Sequence, residues 1–169
     1  MRLHLMRKTV CVSIYYDSLN EWLFLDWEGE LTLLDVQTAC LEVANCFLIR
    51  PYPRVLNSNA QITGVSWSVA AWLATEFLPH VTLAGITHVA WVTSSSLQGR
   101  FLVQTVLNWL PGPAVTSFDD TDAAVTWLQH SRPEHATGGT PLRPPATQAK
   151  VEKAFQDFCR KVTAQVPAL

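Results

Sequence analysis

The chain has 169 residues, enough for one domain and a tail. Hydrophobic residues make up 49% of it and charged residues only 15%, against ~25% in typical globular chains, which excludes disorder for most of its length. The net charge of −2 is uneven: Arg2, Arg7 and Lys8 open the chain, residues 10–130 carry three basic and eleven acidic side chains, and residues 131–169 carry six and three. An acidic body lacks the basic stripe that a phosphate backbone needs, so no nucleic-acid partner is expected.

Residues 1–9 are basic but have neither the apolar run nor the small-residue cleavage site of a secretory leader. They are expected to form an N-terminal extension, either a frayed end or a first edge strand. VCVSIYY (10–16) and EWLFLDW (21–27) are β-rich runs joined by the turn-forming DSLN, and so predict a hairpin. Glu28 and Gly29 are expected to break the second strand.

Thr32 and Asp35 then fit a helix-capping signature. Val36, Cys40, Val43 and Phe47 recur at helical spacing, so the first helix is predicted over 33–49, with Pro51 and Pro53 ending it. RVLNSN (54–59) is the third predicted strand. A second helix is expected from Ser66 or Ser68 to Leu78, followed by a Pro79 kink and a stop at Gly85. THVAWVT (87–93) is an apolar strand suited to the middle of a covered sheet.

Ser94, Ser95 and Ser96 offer caps for a third helix over 97–110. AVTSF (114–118) is a fifth strand, and Asp119 or Asp120 caps a helix carrying Ala123, Ala124, Trp127 and Leu128. Residues 131–149 are rich in Pro, Gly and Thr and predict a linker. In 150–169 the apolar residues Val151, Phe155, Phe158, Val162 and Val166 form one stripe of an amphipathic helix that must be covered by something.

From Val55 to Gly99 the only formal charge is Glu76. The stretch is interrupted by Asn57, Ser58, Asn59, Gln61, Gly64, Pro79, His80 and Gly85, whereas a membrane span needs about 20 predominantly apolar residues in a row. No span is expected. Cys11, Cys40, Cys46 and Cys159 contain no C-x-x-C pair, and Cys40 and Cys46 lie on different faces of one helix. Reduced thiols and a cytoplasmic location are expected.

The order β-β-α-β-α-β-α-β-α predicts an α/β domain over 10–130. It is expected to hold a mixed, mainly parallel five-stranded sheet with helices on both faces. The stretches YYD…EWLFLDWEG, RVLNSN, the Trp-rich second helix and HVAWV resemble the small bacterial STAS-type proteins. More closely, they resemble the SpoIIAA-like, SEC14-related branch. This resemblance implies a regulatory or protein-interaction domain rather than an enzyme, working as a homodimer or with a protein partner.

The resemblance also implies a place for a phosphoswitch, Asp-Ser-Ser-Gly or Asp-Ser-Thr-Gly at the start of the second helix. Here Gly64-Val65-Ser66-Trp67-Ser68 lacks both the Asp and the Gly that follows the hydroxyl pair, so Ser66 and Ser68 are expected to cap the helix. The order Ser66, Asp119, His130 matches that of an α/β-hydrolase, but the elbow's second glycine is missing. A ligand crevice is a second expectation, with Asn57 and Asn59 ending one strand, Ser94, Ser95 and Ser96 ending the next, and Arg100 beside them. It would suit a phosphate, a nucleotide or a lipid head group. A third expectation is a contact face on the second helix and the loop before it, made by Trp67, Trp72, Thr75 and Glu76, unless the last helix packs there. His4, His80, His88, His130 and His135 make no metal-binding pattern, and no cofactor is expected.

Overall fold

The computed structural model describes residues 1–94, 100, 114–131 and 145–165. Its sheet has six strands in the spatial order in which they occur in the chain: β1 (Leu3–Lys8), β2 (Val12–Asp17), β3 (Trp22–Leu31), β4 (Arg54–Val65), β5 (His88–Val92) and β6 (Ala114–Phe118). The first three form an antiparallel meander, and β3 to β6 run parallel. The mixed, mainly parallel α/β sheet is therefore present with one more strand than the five expected. The added strand is β1, the edge-strand alternative for the N-terminal extension. Its side chains are mostly exposed, so no apolar alternation announced it.

Two strands run past their expected ends. Glu28 and Gly29 do not break β3. The strand bulges there, with register shifts between Asp26 and Glu28 and between Gly29 and Glu30, and Gly29 takes φ +79°, a conformation that favours glycine. β4 does not end at Asn59 but continues to Val65, paired with β3 through Gln61, Ile62, Gly64 and Val65. The polar run from Asn57 to Gln61 thus belongs to a central strand. Its backbone groups are satisfied by neighbouring strands and not by turns.

Helix α1 (Leu33–Ile49) starts at Thr32, whose side chain accepts from the Asp35 N–H as the capping signature requires. Helix α2 (Trp67–Trp72) leads through a π-helical turn (Leu73–Phe77) into α3 (Leu78–Leu83). Pro79 explains the wider turn. It has no N–H, and its ring would strike the carbonyl of Thr75 in a regular helix, so the chain closes instead with Leu78 N–H on the Leu73 carbonyl. Helix α4 (Thr121–His130) is capped by Asp120, which accepts from Ala123 N–H. Helix α5 (Pro145–Gln165) begins five residues earlier than expected, which shortens the linker predicted over 131–149. The helix expected over 97–110 lies outside the described residues except at Arg100.

The two sheet faces carry separate cores. On one, Ile14, Leu23, Leu25, Trp27, Val55 and Val89 pack beneath α1, α2, α3 and α5. On the other, Trp22, Phe24, Leu56, Ala90 and Val92 pack against Ala124 and Leu128 of α4. Parallel strands that advance stepwise with right-handed crossovers place their connecting helices on one side. Covering the second side falls to α4, which follows the last strand. On α5 the stripe residues Val151, Phe155, Phe158 and Val162 are all buried, and Val166 lies outside the described residues.

A candidate contact surface at the start of helix α2

Val65 ends β4 and Ser66 follows at once in extended conformation, so the loop expected before the second helix does not exist. Ser66 Oγ accepts from Val69 N–H at 3.4 Å and lies 2.8 Å from Ser68 Oγ. Both hydroxyls therefore complete the exposed first turn of α2. Trp67 beside them is 54% exposed. Thr75 is also exposed, and its hydroxyl donates to the Ala71 carbonyl at 3.0 Å.

The other two residues of the expected contact face turn toward α5. Trp72 is half-buried, its ring 6.1 Å from that of Phe158. Glu76 pairs with Lys161 of α5. Phe77 and His80 complete the seam, 5.5 and 5.2 Å from Phe158 between ring centroids. The last helix thus covers the flank of the second that carries Trp72 and Glu76. Every exposed residue from Ala60 to Leu83 is uncharged: Ala60, Gln61, Thr63, Ser66, Trp67, Ser68, Ala71, Thr75, Pro79 and Leu83.

The residues expected to form a crevice divide between two places. Asn57 and Asn59 lie mid-strand and buried. Trp27 Nε1 donates to Asn57 Oδ1 at 3.0 Å, and Asn57 Nδ2 donates to Asn59 Oδ1 at 3.3 Å. Ser94 is buried after β5 and donates to the Ile62 carbonyl at 3.2 Å. Arg100 Nε donates to the Ser94 carbonyl at 3.1 Å, and its Nη1 lies 3.0 Å from Asp119 Oδ1. The structure therefore unites Ser94, Arg100 and Asp119 but sinks the two asparagines into the core. Ser95 and Ser96 lie outside the described residues. Across the sheet from Asn57, Trp91 is its register partner on β5, and the Trp91 indole N–H is enclosed without an acceptor.

Ser66, Asp119 and His130 do not meet. Arg54, the first residue of β4, donates to the carbonyl of Leu128, two residues before His130. Ser66 follows the last residue of that same 12-residue strand, roughly 40 Å further along at ~3.3 Å per residue. His130 Nδ1 sits 2.7 Å from the Thr126 carbonyl, within its own helix.

Burial sets the local acid–base properties. It pushes the Asp26 carboxyl above its usual range, opposed by a hydrogen bond from Ser58 and reinforced by Glu28. It likewise raises the thiols of Cys11, Cys40 and Cys159, and that of Cys46 to about 11, so none is an activated nucleophile at neutral pH. Among the described residues no cluster of His, Cys, Asp and Glu fits a metal ion. No helix among them is long and apolar enough to cross a membrane.

Sequence reasoning passed over Arg50 and Arg54, although they are the only charged residues between Glu42 and Glu76. Arg54 is buried and donates to the carbonyls of Asn20 and Leu128, tying the β2–β3 turn to α4. Two charges in so apolar a stretch were the available signal.

No protein-family model matches the chain, and no curated protein does. Chains of solved structures are similar, one of them over nearly its whole length. That one is an uncharacterized protein from the DUF3478 family, from Shewanella loihica PV-4, described as having a SpoIIAA-like fold. The identity is 22%, the match covers 73% of this chain and 98% of that one, and the TM-score is 0.49. Its description names the same SpoIIAA-like fold as the sequence resemblance.

Proposed function

We propose that this is a non-enzymatic, STAS-like regulatory domain that works by protein contact, in a homodimer or with another protein. Its contact surface is the start of α2, Ser66, Trp67 and Ser68, continued by Thr75 and bordered by Trp72 and Glu76. The observation that carries this reading is that every exposed residue between Ala60 and Leu83 is uncharged, the half-buried Glu76 being paired with Lys161, and that a half-exposed tryptophan is among them. Solvated helices ordinarily carry charges, whereas interface centres are depleted of them and enriched in tryptophan. The capping of the Val69 N–H by Ser66 also supports a structural use of this hydroxyl over a nucleophilic one.

A photo-crosslinking amino acid placed at Trp67 tests the reading in lysate of the native host, with light scattering on the purified protein. A cross-linked dimer or a specific heteromer, lost when Thr75 is changed to Arg, is expected. A strict monomer with no cross-linked species would overturn it.

A second reading, a small-molecule or lipid carrier using the crevice, is favoured by one observation: the unanswered indole N–H of Trp91 beside Asn57. Native mass spectrometry of freshly purified protein separates the two, since a carrier retains a bound mass and a contact domain does not.

A further inference from the structure

β1 is an edge of the sheet, and backbone parity sets which of its groups are free. The Arg2 carbonyl accepts from the Ser18 N–H just beyond β2, at 2.9 Å. Antiparallel pairs alternate, so His4, opposite Tyr16, also turns its N–H and C=O toward β2, while Leu3 and Leu5 turn theirs away. Among the described residues no strand lies on that outer side. Leu3 and Leu5 therefore each present a donor and an acceptor to solvent, the start of an open ladder.

Side-chain direction divides the same edge by chemistry. Leu5 shares a face with its partner Tyr15, which stacks on Phe24 at the margin of the second core. Helix α4 covers that face over β4, β5 and β6, and here Leu3 and Leu5 remain 39% and 57% exposed. Arg2 and His4 fall on the opposite face by alternation. Arg7, past the bulge, reaches Glu42 of α1 on that side.

The edge is cationic. No Asp or Glu precedes Asp17, and Arg2, Arg7 and Lys8 all lie within or beside β1. Glu42 answers Arg7 and Glu28 answers Lys8, whereas the Arg2 side chain is exposed and has no ion-pair partner among the described residues. Asp17 is buried, and Asn20 Nδ2 and the N–H groups of Arg2 and Leu19 engage it. Cations on an edge strand work against pairing with a second copy of that strand. A strand of opposite charge meets no such barrier, and cross-strand charge pairs then add to the ladder.

We infer that β1 is a strand-addition site for an extended acidic segment of a partner protein, in which acidic and apolar residues alternate. The apolar residues pair with Leu3 and Leu5 and widen the apolar strip at Tyr15, and the acidic ones face Arg2 and His4 on the other side. Main-chain hydrogen bonds to Leu3 and Leu5 hold the segment, and the alternation fixes which face it turns to the sheet. The site is independent of the α2 surface, since β2 and β3 separate β1 from β4, whose far end leads into α2.

The test is NMR of the full 15N-labelled chain, following the Leu3 and Leu5 amide signals as the capped peptide Glu-Val-Glu-Val-Glu is added. A saturable shift of both is expected. Two controls, Lys-Val-Lys-Val-Lys and the acidic peptide N-methylated at both valines, are expected to bind at least ~tenfold more weakly. The first loses the charge match and the second the ladder donors. No saturable shift by about 1 mM acidic peptide, or equal binding by either control, would remove the site. Shifts of the same amides on raising the protein concentration alone would give the edge to a second copy and equally sink the inference. Leu5→Pro deletes an outward donor and leaves the hydrogen bonds to β2 in place, as proline on an edge strand can. It is expected to weaken binding by at least ~tenfold, and undiminished binding by the folded variant would contradict strand addition. The N-methylated peptide makes the same test on the unaltered chain.

Discussion

Phe155 of the last helix stacks on Phe47 of the first, with ring centroids 5.9 Å apart and planes 27° from parallel. The pair joins residues more than a hundred positions apart and seats α5 on the sheet's helical side. Both side chains are buried, so neither has an alternative partner in solvent.

The contact makes α5 part of the core, which denaturation can measure. Phe155→Ala is expected to lower the unfolding free energy by about 3–5 kcal/mol, the usual loss for emptying a buried phenylalanine site. Urea titration followed by tryptophan fluorescence reads the change. A loss below ~1 kcal/mol would mean that the helix is not packed there in solution.

Trp27 and Asn57 offer a double-mutant cycle. Trp27→Phe removes the indole donor and strands a buried carbonyl oxygen, an expected cost of about 1–3 kcal/mol. Asn57→Leu in the Trp27→Phe background removes the stranded acceptor, and should cost less than Asn57→Leu alone. Strictly additive losses would show that the two side chains do not interact.

Asp17 predicts a pH dependence. Burial acts to raise its carboxyl pKa, but hydrogen bonds from Asn20, from Arg2 and Leu19 N–H, and from the Asn20 backbone outweigh it and hold the group below its ordinary value. The unfolded chain therefore takes up the proton first, at about pH 3.9. Stability from this carboxylate is complete above that pH and lost as the pH falls through the folded value. Asp17→Asn should be less stable than the parent at pH 7 and should lose less on going from pH 5 to 2. Parallel stability curves for the two proteins, measured by urea titration at each pH, would contradict the assignment.

Much of the architecture was readable from local chemistry. Thr32 and Asp120 cap their helices through their own third neighbours, and the α5 stripe is buried from Val151 to Val162 as its spacing required. β4 was read too short because Asn57, Ser58, Asn59 and Gly64 look like a turn, and only strands from distant sequence make them a ladder. β1 was ambiguous because it buries no periodic face. The contact surface was half legible. The lack of charge around Trp67 is written in the chain, whereas the docking of α5 over Trp72 and Glu76 depends on which of two apolar surfaces meet.

By itself, then, the chain determines an α/β succession, its caps and an uncharged middle third, since periodicity and capping act within a few residues. Only the tertiary structure decides that Asn57 answers Trp27, that α5 lies along α1 and α3, and that Arg50 lies against two tyrosines. Those outcomes depend on which side chains find room beside each other after long loops have closed, and no short stretch of sequence encodes that.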